Sequence, residues 1–128
     1  MNTFLLIACT FLFPFTAVDK PVQLDAVVSA LSKGDAKAVG VFFDQTVELV
    51  LPGVDDILPK ADAEEKLAAF FLANPAQSFT RVHGGTSTGE DGSYVIGTLK
   101  TETRAYRVYI YARGTGTPTV QELRIEAS

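Results

Sequence analysis

The sequence predicts an α+β domain in which helices come first and an antiparallel sheet follows. Three observations carry that reading. From Phe79 onward the chain alternates with a period of two through four successive segments, near residues 77–84, 93–101, 104–112 and 119–126. The links between them, Gly84 to Gly92, Glu102-Thr103 and Gly114 to Pro118, are short and rich in turn residues, so consecutive strands fold back as a meander. Upstream, apolar residues recur instead at helical spacing. A chain of 128 residues has room for one such domain and no more.

The elements follow in order. Phe4 to Val18 is uncharged and apolar. At about 15 residues it is short of the roughly 20 that a membrane-spanning helix needs, so it reads as a signal-peptide hydrophobic region. Residues 1–18 are then a leader and residues 19–128 a single exported domain, periplasmic or extracellular, with no membrane span in its mature form. Two details pull the other way: no Lys or Arg precedes the run, and Phe15-Thr16-Ala17 puts a bulky residue where a small one is preferred. An uncleaved anchor or a buried first helix is the alternative. The single cysteine, Cys9, lies inside the run. Leu6-Ile7-Ala8-Cys9 has the look of a lipoprotein cleavage box, but the apolar stretch before it is too short for one. Cleavage near Ala17 leaves a domain without disulfide, thiol nucleophile or thiolate metal site.

Asp19 and Pro21 open a first helix, in which Leu24, Val27, Val28 and Leu31 form one apolar stripe. Lys33-Gly34 closes it, with Gly34 as left-handed cap. Asp35 caps a second, short helix in which Val39, Phe42 and Phe43 share a face. Val47 to Leu51 is a strand with Val47, Leu49 and Leu51 on one side. Pro52-Gly53 turns the chain, and Val54 to Leu58 returns as a partner strand. Lys60 to Ala73 is the clearest helix: Ala63, Leu67, Phe70 and Phe71 lie on one face, and Asp62, Glu64 and Glu65 sit in its first half, where the helix dipole favours acids. Asn74-Pro75 stops it.

Among the four strands, Tyr106 to Arg113 carries the plainest code. Tyr106, Val108, Ile110 and Ala112 fall on one face, Arg107, Tyr109, Tyr111 and Arg113 on the other. The first set suits a core. The second set shares a parity with Glu122, Arg124 and Glu126 of the next strand, and cross-strand ion pairs there are worth roughly 0.2–1 kcal/mol each. That outward set is either an ion-paired solvent face or a contact surface, since Tyr and Arg are enriched where interfaces bury area.

The order of helix, short helix, strand pair, long helix and meander resembles the nuclear-transport-factor-2-like (cystatin-like) cone fold. Within it the chain is most similar to an uncharacterised group of small exported bacterial proteins. The residues that carry the resemblance are Lys33-Gly34-Asp35-Ala36, Phe43 with Val47-Glu48-Leu49, Lys60-Ala61 with Ala63-Glu64, Phe70-Phe71, Phe79 with His83, Tyr94 to Leu99, Tyr106 to Tyr109 and Leu123 to Glu126. Pro59 departs from the pattern, which has a small polar cap before the long helix. The resemblance implies a curved antiparallel sheet wrapped around three helices, a pocket at the open end of the cone, and an outer sheet face that often dimerises. It implies no mechanism, because the superfamily holds isomerases, dehydratases and hydrolases beside members without chemistry.

The residues narrow the chemistry further. A net charge of −4, with 11 Lys and Arg that form no cluster, speaks against a nucleic-acid partner. His83 is the only imidazole. With Phe79 and Arg81 on its face it is the one candidate general base, against the plainer reading of a rim histidine bonded to backbone. Asp55 and Asp56 are adjacent on an extended chain, point to opposite sides and cannot form a dyad; a solvated turn is the simpler account. Glu48 faces away from Val47 and Leu49 and suits an ion pair with a neighbouring strand. The glycine-rich stretch Gly84 to Gly92 lacks the Gly-Lys-Ser/Thr ending and the following helix of a phosphate loop. No spacing suggests a metal or any other cofactor. The expected function is a non-catalytic module that binds a small molecule or a protein, with a homodimer through the sheet as one form. Arg81, His83, Arg107, Tyr109, Tyr111 and Arg124 are the binding candidates. The alternative is a small isomerase- or hydrolase-type enzyme using His83.

Overall fold

A computed structural model describes residues 24–86, 91–114 and 117–128. The apolar run, Cys9 and the expected helix start at Asp19 and Pro21 lie outside those residues. The described chain forms helix α1 (Asp25–Ser32), helix α2 (Ala36–Gly40), strands β1 (Phe43–Leu51) and β2 (Val54–Pro59), helix α3 (Lys60–Ala73), and strands β3 (Ala76–Thr86), β4 (Gly92–Thr101), β5 (Ala105–Arg113) and β6 (Thr119–Ala127). The strands make one curved open sheet in the order β2-β1-β6-β5-β4-β3, with α3 packed on β1 and β2, α1 on β3, and α2 between the two helices.

Local chemistry accounts for most boundaries. Gly34, at φ 65°, lets the α1 end close as a Schellman motif, in which the Gly34 amide donates to Leu31 O and the Asp35 amide to Ala30 O, both at 3.0 Å. The Asp35 carboxylate then accepts from the Ala38 amide at 3.0 Å and starts α2. That helix is shorter than its sequence suggested. Phe43 is not on its face but opens β1, drawn there because the Phe42 carbonyl accepts from the Val120 amide at 2.6 Å and Phe43 pairs with Val120. Gly53, at φ 82°, takes the left-handed position of the β1–β2 turn. Pro59 stands before α3 with no side-chain cap, yet the helix begins at Lys60 as expected.

Pairing within the meander is antiparallel, as the short links require, and so is β1 with β2. The β1–β6 pair is parallel, which the sequence did not disclose. One face of the sheet closes on the helices. Val47 and Leu49 of β1, Leu99 of β4, Val108 and Ile110 of β5, and Leu123 and Ile125 of β6 meet Val27, Leu31, Val39 and Leu67 in a continuous buried core. Deleting one such leucine or isoleucine costs about 2–5 kcal/mol. Tyr106 completes this inner wall: its ring meets Phe70 edge-on at 5.1 Å, and its hydroxyl donates to Asn74 Oδ1 at 2.9 Å. Asn74 also accepts from Thr103 Oγ1 and donates to Phe70 O, so one amide ties the end of α3 to the β4–β5 turn.

Candidate functional site

The outer sheet face can be laid out from register and parity alone. Opposite residues on neighbouring strands share a face, so one row across the sheet reads Ile57, Glu48, Glu122, Tyr111, Tyr94 and Gly85. The next row reads Asp55, Val50, Arg124, Tyr109, Ile96 and His83. The middle of this face is aromatic and half-buried: Tyr94, Ile96, Tyr109 and Tyr111 are all partly exposed, whereas their chain neighbours Val95, Val108 and Ile110 are buried inside. Tyr94 and Tyr109 stack with ring centroids 6.4 Å apart and planes 26° from parallel.

His83 joins this face through an irregularity. Between Arg81, which pairs with Gly97, and His83, which pairs with Ile96, strand β3 holds one extra residue, Val82. The bulge reverses parity beyond it. Phe79 and Arg81 therefore do not share a face with His83, as simple alternation would have it. Arg81 lies on the helix side, where its guanidinium reaches Asp25 of α1 at 2.9 Å. His83 turns outward, and its Nε2 lies 2.8 Å from the Tyr94 hydroxyl. Gly85 makes this possible. A Cβ there would stand 3.2 Å from both Tyr94 Cε1 and Oη, so the tyrosine ring occupies the space a side chain would take.

At the other side of the aromatic strip, Arg124 gathers carboxylates from two strands. Its Nε donates to Glu122, its Nη2 reaches Glu48 of β1 at 3.1 Å, and Glu126 lies 3.9 Å from Nη1. The Glu122 contact raises the guanidinium pKa further above its ordinary value, so the charge is permanent. Burial, with Glu122 next in weight, raises the Tyr109 pKa above 10.0, which keeps that phenol protonated and able to donate. Arg107 faces Glu126 in register but makes no ion pair among the described residues. Asp55 and Asp56 are solvent-exposed as expected, but they lie on the edge strand β2 and not in the turn, because they pair with Val50 and Leu49 of β1.

Five of the six residues expected to bind are thus on the outer face: His83, Arg107, Tyr109, Tyr111 and Arg124. Arg81 is separated from them. Tyr94 and Ile96 were missed, although their alternation with Val95 and Gly97 marks them as outward. Open clefts formed by described residues flank the domain. One, of about 410 Å³, lies on the β3–β4–β5 side and includes Thr80, Thr98 and Lys100; another, of about 500 Å³, lies between the α1–α2 turn and α3. His83 lines neither of these two. No group of three or more His, Cys, Asp or Glu suited to a metal is present among the described residues, and no described helix is long and apolar enough to cross a membrane.

Residues 24–126 match the model of a family described as a domain of unknown function, DUF4783. The chain belongs to that family. Crystal structures of two DUF4783 proteins share its fold. The one from Bacteroides fragilis is 29% identical, with a TM-score of 0.73 over 80% of this chain and 96% of that one. The one from Bacteroides ovatus is 24% identical, with a TM-score of 0.76 over 85% and 98%. A putative dehydratase from the NTF2-like family of Streptomyces avermitilis, 15% identical, superposes with a TM-score of 0.59 over 81% of this chain and 89% of that one, so this DUF4783 domain has the NTF2-like fold. No curated protein matches the chain.

Proposed function

We propose that this DUF4783 protein is a non-catalytic binding module, exported to the periplasm or the extracellular space, which receives a protein partner on its outer sheet face. A second copy of the chain is the first partner to test. One observation carries the reading: the centre of the outer face is a half-exposed strip of Tyr94, Ile96, Tyr109 and Tyr111, bounded by arginines. Aromatic residues surrounded by polar and guanidinium groups are the make-up of an interface core and its rim. Export is supported by the uncharged run from Phe4 to Val18. The enzymatic alternative gains nothing from the geometry, because His83 faces outward and its Nε2 is engaged by Tyr94.

Light scattering on the purified protein over a range of concentrations tests the binding face. The wild type is expected at the mass of a dimer, and Tyr109→Glu at the mass of a monomer with unchanged circular dichroism. A wild type that stays monomeric throughout refutes self-association by this face. Fractionation of the host cells tests export, and recovery of the protein in the cytosol refutes it.

A further inference from the structure

We propose a second binding site, separate from the aromatic strip, in the cleft where β3, β4 and the β4–β5 turn meet, and assign it to an acidic saccharide. The cleft, of about 410 Å³, is lined by Ser78, Thr80, Thr98, Lys100, Glu102 and Arg104 among others. That volume lies within the usual range for small-molecule sites. Its floor is set by register. Thr80 stands opposite Thr98, and Ser78 opposite Lys100, all with outward parity. Directly opposed pairs have Cβ atoms about 5 Å apart, and successive outward residues along a strand are about 7 Å apart. Three hydroxyls and an ammonium therefore form a small grid. On the far side of β4, Thr98 faces Arg107 and Lys100 faces Ala105. The small Ala105 leaves the space beside Lys100 open.

Two cations line the cleft, Lys100 and Arg104, and Arg107 stands beside it opposite Thr98. None of the three makes an ion pair among the described residues, and all are exposed. The Ser78, Thr80 and Thr98 hydroxyls likewise make no hydrogen bond among the described residues, whereas those of Thr101 and Thr103 are taken up in holding the turn. Lys100 and Arg104 in the cleft, with Arg107 beside it, attract an anion. The hydroxyls can donate to an anion, but Glu102 lines the same cleft, only accepts hydrogen bonds, and would repel a bare anion. A ring with several hydroxyls and one acidic group uses every part: the cations take the acid, Glu102 accepts from sugar hydroxyls, and the serine and threonine hydroxyls serve as donor or acceptor.

The acidic group can be a carboxylate or a phosphate, and the test has an arm for each. Titration of the isotope-labelled protein with glucuronate and with glucose 6-phosphate, followed by backbone amide shifts, is expected to give saturable changes at Thr80, Thr98 and Lys100. Whichever sugar binds more tightly identifies the acidic group. Neutral glucose and inorganic phosphate are expected to bind at least about tenfold more weakly than the better acidic sugar, since each lacks half of the contacts. Lys100→Ala and Thr98→Val are surface changes expected to leave the fold intact and to weaken that sugar about tenfold or more. Tyr109→Glu, which abolishes the contact proposed for the aromatic strip, is expected to leave sugar binding unchanged, so the two proposals fail separately. The assignment is overturned if neither acidic sugar gives a saturable response, if inorganic phosphate binds as tightly as both sugars, or if the response survives Lys100→Ala unaltered.

Discussion

Gly97 lies in the middle of β4, facing the helices, and its missing side chain is replaced by its neighbour's ring. A Cβ on Gly97 would stand 2.4 Å from Phe79 Cζ, 2.6 Å from Phe79 Cε1 and 2.6 Å from the Thr80 carbonyl oxygen. Gly97→Ala must therefore move both the ring and the β3 backbone. Overpacking of this kind costs about 1–3 kcal/mol, and the contact with a backbone atom puts the change in the upper half of that range. For a domain of this size about 2 kcal/mol corresponds to a fall in Tm of roughly 7–11 °C. Phe79→Ala alone removes a partly buried ring and is expected to cost about 2 kcal/mol. The double variant separates the causes. Without the ring, two of the three close contacts vanish and only the one to Thr80 O remains, so the double variant is expected to be at least about 1 kcal/mol more stable than the sum of the single changes predicts. Urea unfolding followed by circular dichroism gives all four corners of this cycle. A Gly97→Ala protein within about 0.5 kcal/mol of wild type, or strict additivity in the double variant, refutes the reasoning.

Asn74→Ala removes the acceptor of the buried Tyr106 hydroxyl together with the link to Thr103, and is expected to cost about 1–3 kcal/mol, which thermal unfolding would show. Asn74→Asp keeps the acceptor and is expected to recover part of the loss. Arg124→Ala leaves Glu48, Glu122 and Glu126 without their shared cation. A modest fall in Tm is expected in dilute buffer, shrinking as salt is added, because the groups are partly exposed. The folded protein holds the Tyr109 pKa above 10.0, so this residue's contribution to stability is complete below that pH and is lost as pH rises through the folded value. Ultraviolet titration should show a late-ionising component that Tyr109→Phe removes.

Local rules in the sequence carried much of this structure. The parity of Tyr106 to Arg113 placed the inner wall and the outer strip correctly, because β5 is flanked on both sides and runs regularly until the irregularity after Tyr111. Gly34, Asp35 and Pro52-Gly53 marked their boundaries because each satisfies a local backbone requirement. The position of His83 was not legible. One inserted residue turns it to the other face, and Thr-Arg-Val-His looks the same with or without a bulge at Val82. Phe43 was misplaced for a related reason: its apolar spacing suits the short helix equally well, and only the distant pairing with Val120 decides. The candidate site itself was half visible. Tyr109, Tyr111 and Arg124 could be read from alternation, but their assembly with Tyr94 and His83 depends on a register that no short window contains.

The strand order has a consequence for how the molecule comes into being. β6, the last strand in sequence, lies third of six, between β1 and β5. Until it arrives, the β1–β2 hairpin and the β3–β5 meander are two fragments with no backbone hydrogen bonds joining them across the sheet. The closing parallel pair links residues some seventy positions apart, a contact that is slow to form. The sheet of a nascent chain therefore stays in two pieces until β6 is available.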